Sequence, residues 1–294
     1  MKRDRGFRCL STVVLIVFSL LALMPFILLV SSSFSSEQSL TMKGDQFWPS
    51  EFSLEGYRYI SAHSETIVHA YIVTIVISVL GTLLSLLLTT MLAYPLSRKD
   101  FAHRGIFSFL VFFTTLFNGG LVPTYIMWTQ LFSIKNTYLA LLLPNLLMNA
   151  FHVILVKNYF STSVPDSIIE AARIDGASEI RTFVRIVLPL SKPIIATVGL
   201  MTMLAYWNDW ANGLYYVTKS EYFSIQVLLN NIMRNIQFLL NSSNMPGANV
   251  KVTGIPTASV RMAIAVLGIV PVLAIFPFFQ KYFVKGITLG GVKG

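Results

Sequence analysis

Six apolar runs of membrane length constrain this chain more than any other feature of its sequence. They lie at Leu10–Val30, Tyr71–Leu96, Ile106–Phe132, Tyr138–Val156, Ile194–Tyr216 and Val260–Phe279. At about 1.5 Å of rise per residue, each can cross a hydrocarbon core roughly 30 Å thick as a helix. Charged residues make up 12% of the chain, about half their share in a soluble domain. Mean hydropathy is +0.67. The expectation is an all-α, polytopic membrane protein with six transmembrane helices.

The first run follows Lys2, Arg3, Arg5 and Arg8, a start that would also suit a secretory signal. It is longer than the roughly 7–15-residue core of a signal, and further spans follow, so we expect it to be retained. Basic residues then set the orientation. With the N-terminus inside, 15 of the 22 Lys and Arg fall in inner segments. These are the N-terminal four, then Arg98, Lys99 and Arg104, the five from Lys157 to Lys192, and Lys281, Lys285 and Lys293. Both termini and segment 157–192 are thus expected in the cytoplasm. The net charge of +9 is then a topology signal, and a nucleic-acid partner is not expected. Cys9 is the only cysteine, so no internal disulfide forms.

Two outer loops are long. The first, Ser31 to about Ala70, carries Phe47-Trp48-Pro49 and several carboxylates. The second, Val217–Ser259, includes the polar, turn-forming stretch Asn241–Gly247. Loops of this length are either solvated linkage or a surface for a partner, and the latter is the commoner case.

Polar side chains inside the runs should face protein or water, because lipid offers no hydrogen bonds. In the third run Asn118-Gly119-Gly120 and then Pro123 interrupt the pattern. Such a break lines a transporter cavity, or it lets helices pack closely through small residues. In the fourth, Asn145, Asn149 and His152 recur at four and three residues, one helical face, with Pro144 bending the helix beside them. They act as amide glue between helices or as cavity lining. The fifth carries Tyr206, Trp207, Asn208, Asp209 and Trp210 in its outer part. The rings alone would be an aromatic belt. An Asp and Asn among them suit a hydroxyl-rich ligand, with rings stacking on sugar faces and polar groups taking the hydroxyls.

One compact polar segment, Glu170–Pro189, stands between the fourth and fifth runs. It reads as two short helices separated at Gly176. Pro165 and Asp166 suit the first opening turn, and Gly176 the left-handed residue that ends a helix. Ser178 suits the next N-cap. Ile180, Phe183, Val184, Val187 and Leu188 share an apolar face, and Pro189 should end the second helix. By itself this pattern also fits an amphipathic helix lying on the inner membrane surface.

This segment resembles the EAA loop of the membrane subunits of binding-protein-dependent ABC importers: Glu-Ala-Ala, three residues, Gly, nine residues, Ile-x-Leu-Pro. Glu170, Ala171, Ala172, Gly176, Ile186, Leu188 and Pro189 occupy those positions. The flanking motifs resemble the maltose-type, oligosaccharide branch nearly end to end, especially Gly119–Tyr125, Trp207-Asn208 and the tail from Gln280. They point to a subgroup, common in Gram-positive bacteria, that serves larger or complex oligosaccharides. The resemblance implies a type I importer permease fold in a bacterial plasma membrane. Residues 1–70 would form a first helix and outer loop, and 71–294 the permease core with its cytoplasmic loop 157–192. It implies that Glu170, Ala171, Ala172, Asp175, Gly176, Leu188 and Pro189 couple to a separate ATPase. The implied partners are a second permease subunit, an ATPase dimer, an extracellular solute-binding protein and membrane lipid. ATP and Mg²⁺ would sit on the ATPase, with no cofactor on this chain. Amino acids or peptides are the alternative cargo.

Two other classes fit less well. No Gly-x-x-x-x-Gly-Lys-Ser/Thr loop, metal-spaced His/Glu set or Ser/His/Asp set is present, which disfavours an enzyme. An ion-coupled carrier usually needs ionisable groups deep in the membrane, and Asp209 is the only carboxylate within a run.

Overall fold

A computed structural model describes residues 2–62, 64–144, 146–243 and 257–291. Beyond one isolated antiparallel bridge, Ser35 to Phe52, no strand occurs among them. In chain order the helices are α1 (Lys2–Ser33), α2 (Glu37–Lys43), α3 (Glu55–Ser61), α4 (Ser64–Ser97) and α5 (Arg104–Leu116). Next come α6 (Leu121–Ile126), α7 (Leu139–Leu142), α8 (Ala150–Ser163), α9 (Asp166–Ile174) and α10 (Glu179–Thr182). The last are α11 (Leu188–Leu190), α12 (Lys192–Trp207), α13 (Ala211–Tyr216), α14 (Ile225–Ser243) and α15 (Thr257–Gly291).

One compact unit comprises Met1–Val68 with Leu229–Pro271. Within α1 the stretch Phe7–Ser33 contains an 18-residue segment of mean hydropathy 3.1, none of whose residues is buried in this chain. Such a surface needs lipid or another subunit around it. Just beyond it Phe34 stacks on Phe52 at 5.7 Å and meets Tyr57 at 5.2 Å. The Tyr57 hydroxyl bonds Ser33 Oγ at 2.9 Å, so the segment after α1 folds back on the end of that helix. Ser36 caps α2. From the first turn of α2, the Glu37 carboxylate accepts hydrogen bonds from Ala258 N and Ser259 N at 2.9–3.0 Å. That satisfies two donors that the start of α15 would otherwise leave open, with a negative charge at the positive helix end.

The other unit comprises His69–Leu228 with Val272–Gly294. It has two apolar clusters. One joins Ala93 and Leu96 of α4 to Val153, Val156 and Phe160 of α8, and to Ile169, Val187 and Val198. The other gathers Val73 and Ile77 of α4 with Ala140, Leu141, Tyr206 and Tyr216. The first underlies the polar segment, and the second surrounds the interruptions of the fourth and fifth runs.

Among the described residues two helices, Phe7–Ser33 and Ser64–Ser97, are long and apolar enough to cross a membrane alone. Two further pairs reach that length only when joined: Arg104–Leu116 with Leu121–Leu131, bent by 111°, and Glu179–Leu190 with Lys192–Trp207, bent by 81°. The fourth run is not one helix. α7 ends at Leu142: Leu143 keeps helical angles (φ −86°, ψ −49°) and closes the last turn on Leu139 O, but Pro144 after it has no N–H to carry the ladder on. Asn149 is extended (φ −111°, ψ 121°), and its side chain caps α8 by accepting from Phe151 N and His152 N. It therefore does not share a helical face with His152, and Asn145 lies outside the described residues. Pro189 does not end its helix either. A widened turn over Phe183–Val187, with Leu188 N–H reaching Phe183 C=O, makes room for the ring, and the bend comes at Ser191. The stretch Val217–Ser259, expected as a loop, contains the 19-residue α14, so Asn241, Ser242 and Ser243, expected in a turn, are the last residues of a helix. Asn244–Gly247 lie outside the described residues.

Candidate coupling loop and translocation site

The polar segment is built as its sequence predicts around Gly176. α9 ends in a paired closure: Ala177 N bonds Ala172 O at 2.9 Å, and Gly176 N bonds Arg173 O at 3.1 Å. This geometry requires a left-handed residue, and Gly176 has φ 75°. A Cβ there would meet nothing within 4 Å, so the backbone angle and not crowding demands glycine. Ser178 then caps α10 by accepting from Arg181 N at 3.3 Å.

One side of the segment is fixed to the chain. Ile169, Ala172 and Val187 are buried, and Phe183 and Leu188 pack against the same cluster. The other side is open. Glu170, Ala171, Asp175, Gly176 and Pro189 are exposed. Among the apolar residues Ile174 is 86% exposed and Ile180 77%. The predicted apolar face of the second helix is thus split, with Val187 inward and Ile180 and Val184 outward.

An ionic lattice joins this segment to the end of α4, a feature sequence reasoning missed. Arg173 Nη2 donates to Asp100 Oδ2 at 2.9 Å and to Glu179 Oε1 at 2.7 Å. Tyr94 donates to Glu179 Oε2 at 2.8 Å. Asp166 pairs with Lys99 at 2.9 Å and Arg98 at 3.3 Å. The Arg173 hydrogen bond holds the Asp100 and Glu179 carboxyls below the usual carboxylate range, and the Lys99 hydrogen bond does so for Asp166. Arg98, Lys99 and Arg173 read from sequence only as inner charges. The available signal was Asp100 and Asp166 among them.

In the third run, Phe117 is extended, Asn118 Oδ1 accepts from Gly120 N at 2.8 Å, and Gly120 has φ 85°. A Cβ on Gly119 would meet nothing and one on Gly120 would only touch Pro123 Cδ at 4.0 Å, so within this chain neither serves close packing, and Gly120 serves backbone shape. An open cleft of about 630 Å³ follows, lined by Val122, Pro123, Ile126, Met127, Gln130 and Leu131.

The interruptions of the fourth and fifth runs complement each other. Ending α7 at Leu142 leaves carbonyls without helical partners, which at membrane depth must find protein donors. Tyr206 Oη donates to Leu142 O at 2.8 Å, and Asn212 Nδ2 to Pro144 O at 2.9 Å. Asp209 Oδ1 accepts from Asn212 N at 3.1 Å, closing the turn between α12 and α13. Tyr206 and Trp207 are each only 3% exposed. The Tyr206 ring lies on Gly81, and Trp207 meets Tyr71 at 6.3 Å. Both rings are packed inside the chain, whereas Asn208 and Trp210 are exposed. His152 Nδ1 lies 3.4 Å from Thr202 Oγ1, a tie between α8 and α12.

A family model for the inner membrane component of binding-protein-dependent transport systems matches residues 78–289. The chain belongs to that family. The match takes in the polar segment and all three interrupted runs. YtcP of Bacillus subtilis (strain 168), a polygalacturonan/rhamnogalacturonan transport system permease protein, is 38% identical over 99% of this chain and 100% of its own length. Protein LplC of the same organism is 36% identical over 93% of this chain and 90% of its own. A chain of a bacterial ABC transporter involved in the import of the acidic polysaccharide alginate superposes with a TM-score of 0.79 at 30% identity. The superposition covers 96% of this chain and 98% of that one. The family places the chain in the inner membrane as a transport subunit, with the all-helical ABC permease fold.

Proposed function

We propose that this chain is one of two membrane subunits of an importer for acidic oligosaccharides. It would span the membrane six times with both termini in the cytoplasm. An extracellular solute-binding protein would deliver the sugar, and a separate ATPase dimer would bind ATP and Mg²⁺. The observation that carries this reading is the polar segment: two helices rigidly closed at Gly176, anchored on one side and presenting Ile174, Ile180 and Glu170 on the other. Apolar side chains this exposed in a charged cytoplasmic loop fit a protein socket better than water. The glycan class is supported by relatives named for polygalacturonan/rhamnogalacturonan and alginate transport. We assign Asn208, Asp209 and Trp210, with Asn118–Gly120, to the substrate path, because irregular backbone at membrane depth belongs beside a cavity.

The test is Glu170→Lys and Ile180→Glu in the whole assembly. Each should leave the chain in the membrane but sharply lower ATPase co-purification and substrate-stimulated ATP hydrolysis. Normal hydrolysis and uptake in both would remove the segment from the mechanism.

A further inference from the structure

Arg261 stands one turn inside α15, at the outer end of the sixth apolar run in the orientation proposed above. Its Nε is buried without an acceptor, and the residue enters no ion pair among the described residues. By contrast, Arg98, Lys99 and Arg173 on the cytoplasmic side all have carboxylate partners. Part-burying a guanidinium without a counter-ion is expensive, most of all in a membrane segment.

Three anions could compensate it. The first is a carboxylate of the same unit. Glu37 works at this helix end, but its oxygens are occupied by Ala258 N and Ser259 N. The second is a lipid phosphate reached by snorkelling, and the helical register opposes it. At 3.6 residues per turn, Arg261 shares a sector of α15 with Ile264 and Gly268, both buried, while Val270, 52% exposed, lies on the opposite side. The side chain therefore leaves α15 on its protein-facing side. The third is an anion brought in from outside, and the residue retains exposed surface through which one could reach it. In an oligosaccharide that group is the carboxylate of a uronic acid, whose two oxygens match the guanidinium fork.

We propose that Arg261 binds a uronate carboxylate of the incoming oligosaccharide and so sets the preference for acidic over neutral sugars. This rests on the functional reading above. The experiment uses the whole transporter reconstituted with its binding protein, and compares uptake of a galacturonate trisaccharide with a neutral galactose trisaccharide. Arg261→Gln should lower uptake of the acidic sugar about tenfold or more, the loss of one charge-assisted pair. It should leave any neutral uptake and the co-purified subunits unchanged. Arg261→Lys, which keeps the charge but not the fork, should fall between. Equal loss of both sugars, loss of assembly in the Gln variant, or undiminished acidic uptake would each overturn the inference. Lost assembly would instead assign the partner carboxylate to another subunit. A wild-type transporter that admits only the neutral sugar overturns the role of Arg261 and leaves the importer standing. One that admits no oligosaccharide overturns both.

Discussion

Two glycines show how differently single residues act. Gly176 is required for its backbone angle, because a left-handed L-residue costs about 1–2 kcal/mol and a β-branched one resists it further. Gly176→Val should leave the chain in the membrane yet reduce substrate-stimulated hydrolysis several-fold, measured on the purified assembly. Gly81 is required for space. A Cβ there would overlap the Tyr206 ring, which cannot retreat while its hydroxyl holds Leu142 O. The fifth run divides along the same line. From sequence, Trp207 and Asp209 look like a stacking face and a hydroxyl acceptor whose removal spares assembly. Trp207 is instead buried, so Trp207→Ala should cost about 3–5 kcal/mol of packing and lower the yield of assembled complex. Trp210, 44% exposed, is the ring available to a ligand. Trp210→Ala should keep assembly normal and weaken uptake, and unchanged uptake would return that ring to a belt role.

At the scale of elements, the lattice around Arg173 ties the end of α4 to the two loop helices, the link that joint movement of the three would need. Arg173→Ala should separate them, raising several-fold the ATP hydrolysed per sugar imported. All its pairs are largely exposed, so about 1 M salt, where the screening length is near 3 Å, should mimic the variant. The pH dependence has a defined sign. Asp100, Asp166 and Glu179 have folded values below their ordinary ones of 3.8, 3.8 and 4.5. Their contribution is complete above those ordinary values and is lost only as pH falls through the lower folded ones. Coupling should therefore stay flat from about pH 8 to pH 5. A step near neutrality would mean that these carboxylates are not what holds the loop.

For the whole molecule, the decisive quantity is which surfaces face which side of the membrane. Cys9 is the only thiol, so replacing it with Ser gives a background for single cysteines. In intact cells a membrane-impermeant maleimide should label Ser50→Cys but not Ser178→Cys, and opening the cells should expose the second. Labelling of Ser178→Cys in intact cells would reverse the orientation, and with it the coupling role and the outer position of Arg261.

The sequence by itself determined what depends on local chemistry. Membrane-length apolar runs dictate helices, Gly176 and Ser178 dictate a turn and a cap, and Asn118-Gly119-Gly120 dictates a break, each within a few residues. It did not determine where the fourth run stops being a helix. Nor did it show that Asn149 caps α8, or that Pro189 is carried through a widened turn. The cap and the widened turn are local choices among competing bonds. The break in the fourth run depends on donors distant in sequence, Tyr206 for Leu142 and Asn212 for Pro144, and so do the pairings of Glu37 with the start of α15 and of Arg173 with Asp100. Only the tertiary structure decides such pairings, because a polar group in an apolar surround takes the partner that packing brings within about 3 Å. The same reason separates Trp207 from Trp210. Three residues apart on one polar-aromatic run, they are alike in composition, and only the helices around them make one core and leave the other open.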